Sequence, residues 1–277
     1  MPQGLLRVQA SGANRFSSPD VRTAMKQHWK KLVIAVVALI VVVVAGSFIY
    51  AKFINKADEE FDSGDVKELL DATTTVAPEQ PITTDPATTG GSSSETTAAP
   101  TTVAGVDGEW VIAAGSEVGY RVDESINGFD TTANGRTQAI TGTFTIGGTA
   151  VSAGQFTVDM TTFKSDESRR DGQFNGRIMD VANFPTATFV LTAPIDFQQV
   201  PTDGTTITAS ATGDLTLRGT TQSVTFDVEA TFQNGRVGVL GKIPVVFADF
   251  GIPSPSVATI TTEDNGLLEF VLAFDRA

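Results

Sequence analysis

From Trp110 onward apolar residues recur at every second position, a period that only a β-strand with one buried face produces. Val118, Tyr120 and Val122 alternate with Glu117, Gly119 and Arg121, and Ile140, Gly142, Phe144 and Ile146 alternate with Thr141, Thr143 and Thr145. The spacing returns at Phe156, Val158 and Met160, at Ala187, Phe189 and Leu191, and at Ile207, Ala209, Ala211, Leu215 and Leu217. It returns again at Val224, Phe226, Val228, Ala230 and Phe232, and at Leu268, Phe270, Leu272 and Phe274. Turn pairs fall between the runs at Asn134-Gly135, Gly147-Gly148, Asp203-Gly204, Asn234-Gly235 and Asn265-Gly266, with Glu263 and Asp264 completing the last. Spacers this short join antiparallel neighbours. The class is therefore all-β, with about eight antiparallel strands, and the alternation alone fits a sandwich as well as a barrel.

One stretch interrupts the alternation. Phe163 to Phe189 predicts a helix of two to three turns capped by Asp166 or Ser165, with Glu167 and Ser168 in its first turn and Gly176 closing it. Asn183, Phe184 and Pro185 stop the helix, because the residue before a proline is driven to extended backbone, and a strand begins at Thr186.

Within that stretch the run Arg169-Arg170-Asp171-Gly172-Gln173-Phe174-Asn175 is followed by DVANFPTATF from Asp180 to Phe189. Later come GDLTLRGTTQSVTFDV, from Gly213 to Val228, and ADFG, from Ala248 to Gly251. With Trp110 and the Ser116 to Val122 strand, these segments resemble the YceI-like family over about residues 108–275, in the expected order. The resemblance implies an eight-stranded antiparallel, lipocalin-like barrel over residues 106–277 with one short helix, holding a long isoprenoid or similar lipid. Many relatives carry His two places after the Arg-Asp pair; Gln173 stands there in this chain, so any role that depends on histidine does not transfer.

The inward set mixes small residues (Gly142, Ala187, Ala209, Ala211, Ala230) with large ones. Such a mixture either interdigitates into a filled core or leaves an elongated apolar channel, and the resemblance favours the channel. Taken with the resemblance, the residues assigned to a lipid tail are Tyr120, Phe144, Phe156, Val158, Met160, Phe174, Phe184, Phe189, Leu191, Leu215, Phe226 and Phe270. Arg169, Arg170, Asp171 and Gln173 are assigned to a polar headgroup or the rim, with Lys164 and Arg218 as weaker candidates. A competing role for Arg170 and Asp171 is a mutual ion pair fixing the helix over the barrel.

Catalysis finds little support. The chain has no cysteine, which excludes disulfides, thiolate metal sites and thiol nucleophiles, and its one histidine, His28, precedes the exported part. Asp166, Glu167 and Asp171 read as helix-capping carboxylates, and no nucleophile elbow or phosphate loop is present. The expectation is a binding protein without metal or cofactor. Residues 106–277 carry ten basic and 21 acidic side chains, a surface that repels nucleic acid.

Ahead of the barrel, Leu32 to Tyr50 is nineteen residues without a charge, enough helix to cross roughly 30 Å of hydrocarbon. Residues 1–31 are basic, with six basic side chains against one acidic, and Lys30 and Lys31 abut the apolar run. The positive-inside rule then places residues 1–31 in the cytoplasm and the barrel outside, in a bacterial envelope. Ala45, Gly46 and Ser47 offer the competing reading of a cleaved signal peptide. Residues 51–105 read as a linker: acidic first, with a short helix possible around Val66, Leu69 and Leu70, then Thr/Pro-rich and disordered from Ala72. The expected function is a membrane-tethered lipid-binding barrel; the alternative is an envelope scaffold with a filled barrel.

Overall fold

A computed structural model describes residues 21–49, 57–72 and 105–277. The expectations for residues 1–20, for Tyr50 and for the Thr/Pro-rich stretch 73–104 lie outside them. Two compact units are present, one ending at Phe48 and one beginning at Ile49. The first holds helix α1 (Val21–Ile49) up to its last residue, and the segment Trp29–Ile49 is long and apolar enough to cross a membrane, with a mean hydropathy of 3.2.

The second unit opens with helix α2 (Ser63–Asp71) and continues with β1 (Gly108–Ile112), β2 (Glu117–Ile126), β3 (Phe129–Thr137), β4 (Ile140–Gly147) and β5 (Ala150–Asp159). Helix α3 (Ser168–Gln173) follows, then β6 (Thr186–Leu191), β7 (Ile195–Asp196), β8 (Thr206–Leu217) and β9 (Thr220–Gln233). Last come β10 (Arg236–Val246), β11 (Ile260–Thr262) and β12 (Asn265–Arg276). Strands β1, β4, β5, β6, β8, β9, β10 and β12 pair in that order, and β12 returns to β1, which closes an eight-stranded antiparallel barrel. The alternation left sandwich and barrel open; the β1–β12 pairing decides for the barrel.

Strand β12 changes partner along its length. It pairs with β2 from Leu267 to Val271 and with β1 from Phe274 to Arg276, and β3 extends the wall beyond β2. At that end β3 leaves β4's path, and the excursion from Met160 to Asn183 fills the gap, tied by reciprocal backbone bonds of Arg136 and Lys164 and by Met160 N to Pro185 O. This is why the stretch interrupting the alternation is where it is.

Four expectations about turns and helix ends are corrected. Asn134-Gly135 is not a turn: it lies inside β3, and the hairpin between β2 and β3 uses Asn127-Gly128, both at positive φ. A Cβ on Gly135 would stand 2.6 Å from Tyr120 Cε1, so the second Asn-Gly pair is shaped by a ring across the strand. Gly135→Val is expected to cost about 1–3 kcal/mol through that clash, seen as a lower melting temperature; an unchanged melt would show that the ring has other room. Glu263 to Gly266 is a bulge rather than a hairpin, since β11 and β12 both pair with β2, Thr262 opposite Glu124 and Leu267 opposite Arg121. Helix α3 is capped by Glu167, whose carboxylate accepts from Arg169 N, because Asp166 is engaged by Arg170 and Ser165 by Asp171. Gly176 does not end it; a π turn, Phe174–Ile178, follows and Asp180 at φ 50° releases the chain toward β6 at Thr186.

Strand β10 was not visible as an alternation. Its inward Val237, Ile243 and Val245 are buried, and so is its outward Leu240, because α2 packs on that face. Residues 57–72, placed by sequence in the linker, are thus part of the barrel unit. Helix α2 carries a capping box between Asp62 and Asp65, yet nine residues are too few to hold a helix alone in water. Phe61, Val66 and Leu70 bury against Ala113, Leu240, Val271 and Ala273, each of the three contributing about 1.5–3 kcal/mol at most.

Candidate functional site

Two cavities run along the barrel interior. The first, about 160 Å³, is walled by Phe144, Phe156, Phe189, Leu191, Leu215, Phe226 and Phe270, with Val158. The second, about 310 Å³, is walled by Tyr120, Val158, Met160 and Phe174 and has Arg169, Arg170 and Gln173 at its margin. Val118, Val158, Ala187 and Leu268 border both, forming a waist between them. Eleven of the twelve residues assigned to a tail therefore line this interior. Phe184 does not: its ring lies against Gly219, where a Cβ would be 2.5 Å away, and pins the proline corner to the β8–β9 turn outside the barrel.

Residue size explains the open interior, in a way the composition did not disclose. The inward glycines do not border empty space. A Cβ on Gly142 would stand 2.4 Å from Phe156, one on Gly213 2.3 Å from Phe189, and one on Gly241 2.2 Å from Phe270. Each glycine receives a ring from the neighbouring strand, so three phenylalanines lie flat against the wall instead of crossing the lumen. Ala187, Ala211 and Ala230 leave the remaining room.

Polar chemistry gathers at the second cavity. Tyr120 stacks on Phe174 at 4.8 Å and 9° and leans on Phe163 at 5.9 Å; burial pushes its phenol above the usual range, so it stays protonated. Arg170 pairs with Asp166 and, at 3.4 Å, with Glu124. It does not pair with Asp171, whose carboxylate accepts from Ser165 N at 2.9 Å and Ser165 Oγ at 2.8 Å, with Lys164 Nζ at 3.8 Å. The helix is fixed by three ion pairs, two of Arg170 and one of Asp171, where sequence offered one between them. Arg169 is exposed and lines the cavity. Its guanidinium has no ion pair among the described residues. Gln173 Oε1 accepts from Arg177 Nη2 at 3.4 Å.

Sequence reasoning offered the loop from Gly251 to Thr259 as an exposed contact for a protein partner under the scaffold alternative and gave it no part in lipid binding. Ile252, Pro255 and Val257 cover the second cavity, and two arginines hold the loop down. Arg177 donates to Ser254 O at 2.6 Å and Pro255 O at 2.9 Å, and Arg218 donates to Gly251 O at 2.6 Å. Arg218, a weaker headgroup candidate, is a loop anchor. The signal was limited to the ADFG segment, whose Phe250 is buried beneath the loop's start.

A closed eight-stranded antiparallel barrel with an apolar interior and charge at one end defines the lipocalin-like class of barrels. The chain belongs to the YceI-like family, matching the YceI-like domain over residues 110–274. It is 35% identical over 142 residues to a UPF0312 protein of Pseudomonas fluorescens (strain SBW25), covering 47% of this chain and 69% of that protein. Among solved structures, it resembles a polyisoprenoid binding domain from Saccharophagus degradans, with TM-score 0.50 and 15% identity over 62% of this chain and 99% of that one. Burkholderia cenocepacia BcnA aligns at TM-score 0.47 and 21% identity over 58% of this chain and 98% of its own.

Proposed function

We propose that this protein is a membrane-tethered, extracytoplasmic binding protein for a long-chain isoprenoid or a similar amphiphilic lipid, without catalysis of its own. The observation that carries this reading is the interior: two apolar cavities meeting at one waist, with charged side chains at the margin of the second alone. An elongated tail would fill the first cavity, removing apolar surface from water at roughly 25 cal/mol per Å². Its polar end would sit among Arg169, Arg170 and Gln173, while Asp171 holds the turn beneath them. The similarity to the Saccharophagus degradans polyisoprenoid binding domain supports the isoprenoid class. Lys30 and Lys31 just before the apolar run from Leu32, and acidic residues after it, support an N-terminus inside and a barrel outside.

Purifying the full chain from an isoprenoid-producing host, then organic extraction and mass spectrometry, tests the reading. A stoichiometric extracted lipid is the expected result. A chain that yields none, and takes up neither polyprenyl nor fatty-acyl lipid when offered, would favour the scaffold alternative. The loop from Gly251 to Thr259 makes a further prediction. Arg177→Ala should speed lipid release about five- to tenfold, because hydrogen bonds to a charged group contribute about 1.5–3 kcal/mol and this one is partly solvated. Dilution release of a fluorescent polyene fatty acid reads the rate, and an unchanged rate would remove the loop from the exchange path.

A further inference from the structure

The outer face of β10 and β12 is covered by α2 and Phe61. Outward-facing positions of a barrel strand are ordinarily polar, yet Leu240, Val271 and Ala273 point outward and are buried. The fit is close: a Cβ on Gly238 would stand 2.5 Å from Val66 Cγ1, and one on Gly115 2.7 Å from Leu69 Cδ1. Polar bonds frame the groove at both ends. Phe61 N donates to Glu269 at 3.3 Å and Arg121 to Asp58 O at 2.7 Å; Arg236 donates to Leu69 O at 3.1 Å, and Gln233 bonds Asp71. The occupant, residues 57–72, lies outside the family match at residues 110–274 and is separated from the barrel's first strand by residues 73–107.

We infer that residues 57–72 are a clasp: a peptide ligand of the barrel's outer face, carried on the same chain, that holds the barrel to the preceding segment without needing the covalent link that follows. The covalent link through residues 73–104 then joins two parts of the barrel unit and is not the tether. The covalent tether after α1 is the seven residues 50–56. A cut within the Thr/Pro-rich stretch leaves the barrel attached.

The test uses the full chain in detergent, tagged at its N-terminus, with one protease recognition sequence placed within residues 73–104. After complete cleavage the barrel fragment is expected to stay on the affinity resin through repeated washing. Excess synthetic peptide of residues 57–72 should lower the retained fraction, and Val66→Asp with Leu70→Asp should abolish retention. Elution of the unsubstituted barrel fragment on cutting overturns the inference. So does retention that the peptide leaves unchanged, since another contact would then hold the fragment. The peptide arm keeps the test decisive even where the double variant fails to fold. No lipid enters the readout, so this result and that of the lipid extraction stand apart.

Discussion

Glu269→Ala is expected to lower the stability of the barrel unit by about 3 kcal/mol, the lower end of what removing one partner of a buried ion pair costs. Glu269 is fully buried, 0% exposed, on the outer face of β12. It accepts from Arg121 Nη2 and Arg136 Nη2, both at 3.4 Å, and from Phe61 N at 3.3 Å. The two arginines are partly exposed at 14% and 18%, which relieves some of their loss and sets the estimate low. Their Nε atoms are already buried without a partner, so the alanine variant leaves two cations with poorer company still. At about 2–4 °C per kcal/mol for a unit of this size, the melting temperature should fall roughly 6–12 °C. Residues 57–72 should also become protease-sensitive, because Arg136 both covers the Phe61 ring at 3.9 Å and bonds Glu59 O. Glu269→Gln keeps an acceptor and should lose less. A melting temperature within a degree of the parent would show that the apolar contacts of α2 suffice and the triad is dispensable.

Ala187→Phe is expected to abolish stoichiometric lipid uptake while the barrel still folds. Ala187 is 5% exposed and borders both cavities, so a ring there closes the waist that an elongated ligand must cross. Adding bulk to a packed interior costs about 1–3 kcal/mol, and here the two cavities beside the waist can take part of the volume. Circular dichroism would confirm the fold, and extraction with mass spectrometry would report the lipid. Full occupancy in a folded Ala187→Phe variant would mean that ligand uses a single cavity and that the proposed head-to-tail placement is wrong. Phe144 is a poorer site for such a test. It stacks on Trp110 at 6.4 Å and packs edge-on to Phe274 at 4.4 Å, so its loss damages the core as well as the cavity wall.

Much of the barrel is legible in the sequence. Strands with one wet face and one dry face announce themselves by period two, and β2, β4, β5, β6, β8, β9 and most of β12 are of that kind. Their inward residues are also the ones that line the cavities, since a barrel has one inside. Helix α1 was equally legible, because an uncharged apolar run of that length depends on nothing else in the chain.

Tertiary structure decided the rest, for one physical reason: those features depend on partners far away in sequence. Strand β10 lacks alternation because α2 dries its outer face, and the residues that do so lie about 170 positions earlier. Strand β3 hid its identity because its Asn134 and Gly135, a turn signal in isolation, answer to Asp58 and to the Tyr120 ring. Arg170 was seen beside Asp171 in sequence, yet pairs across the site with Glu124. Phe61 and Glu269, 208 residues apart, meet in one hydrogen bond. Local pattern determined that this chain makes antiparallel strands with one apolar face; only the closed fold could decide that they form a barrel and that its outer face is claimed by the chain's own residues 57–72.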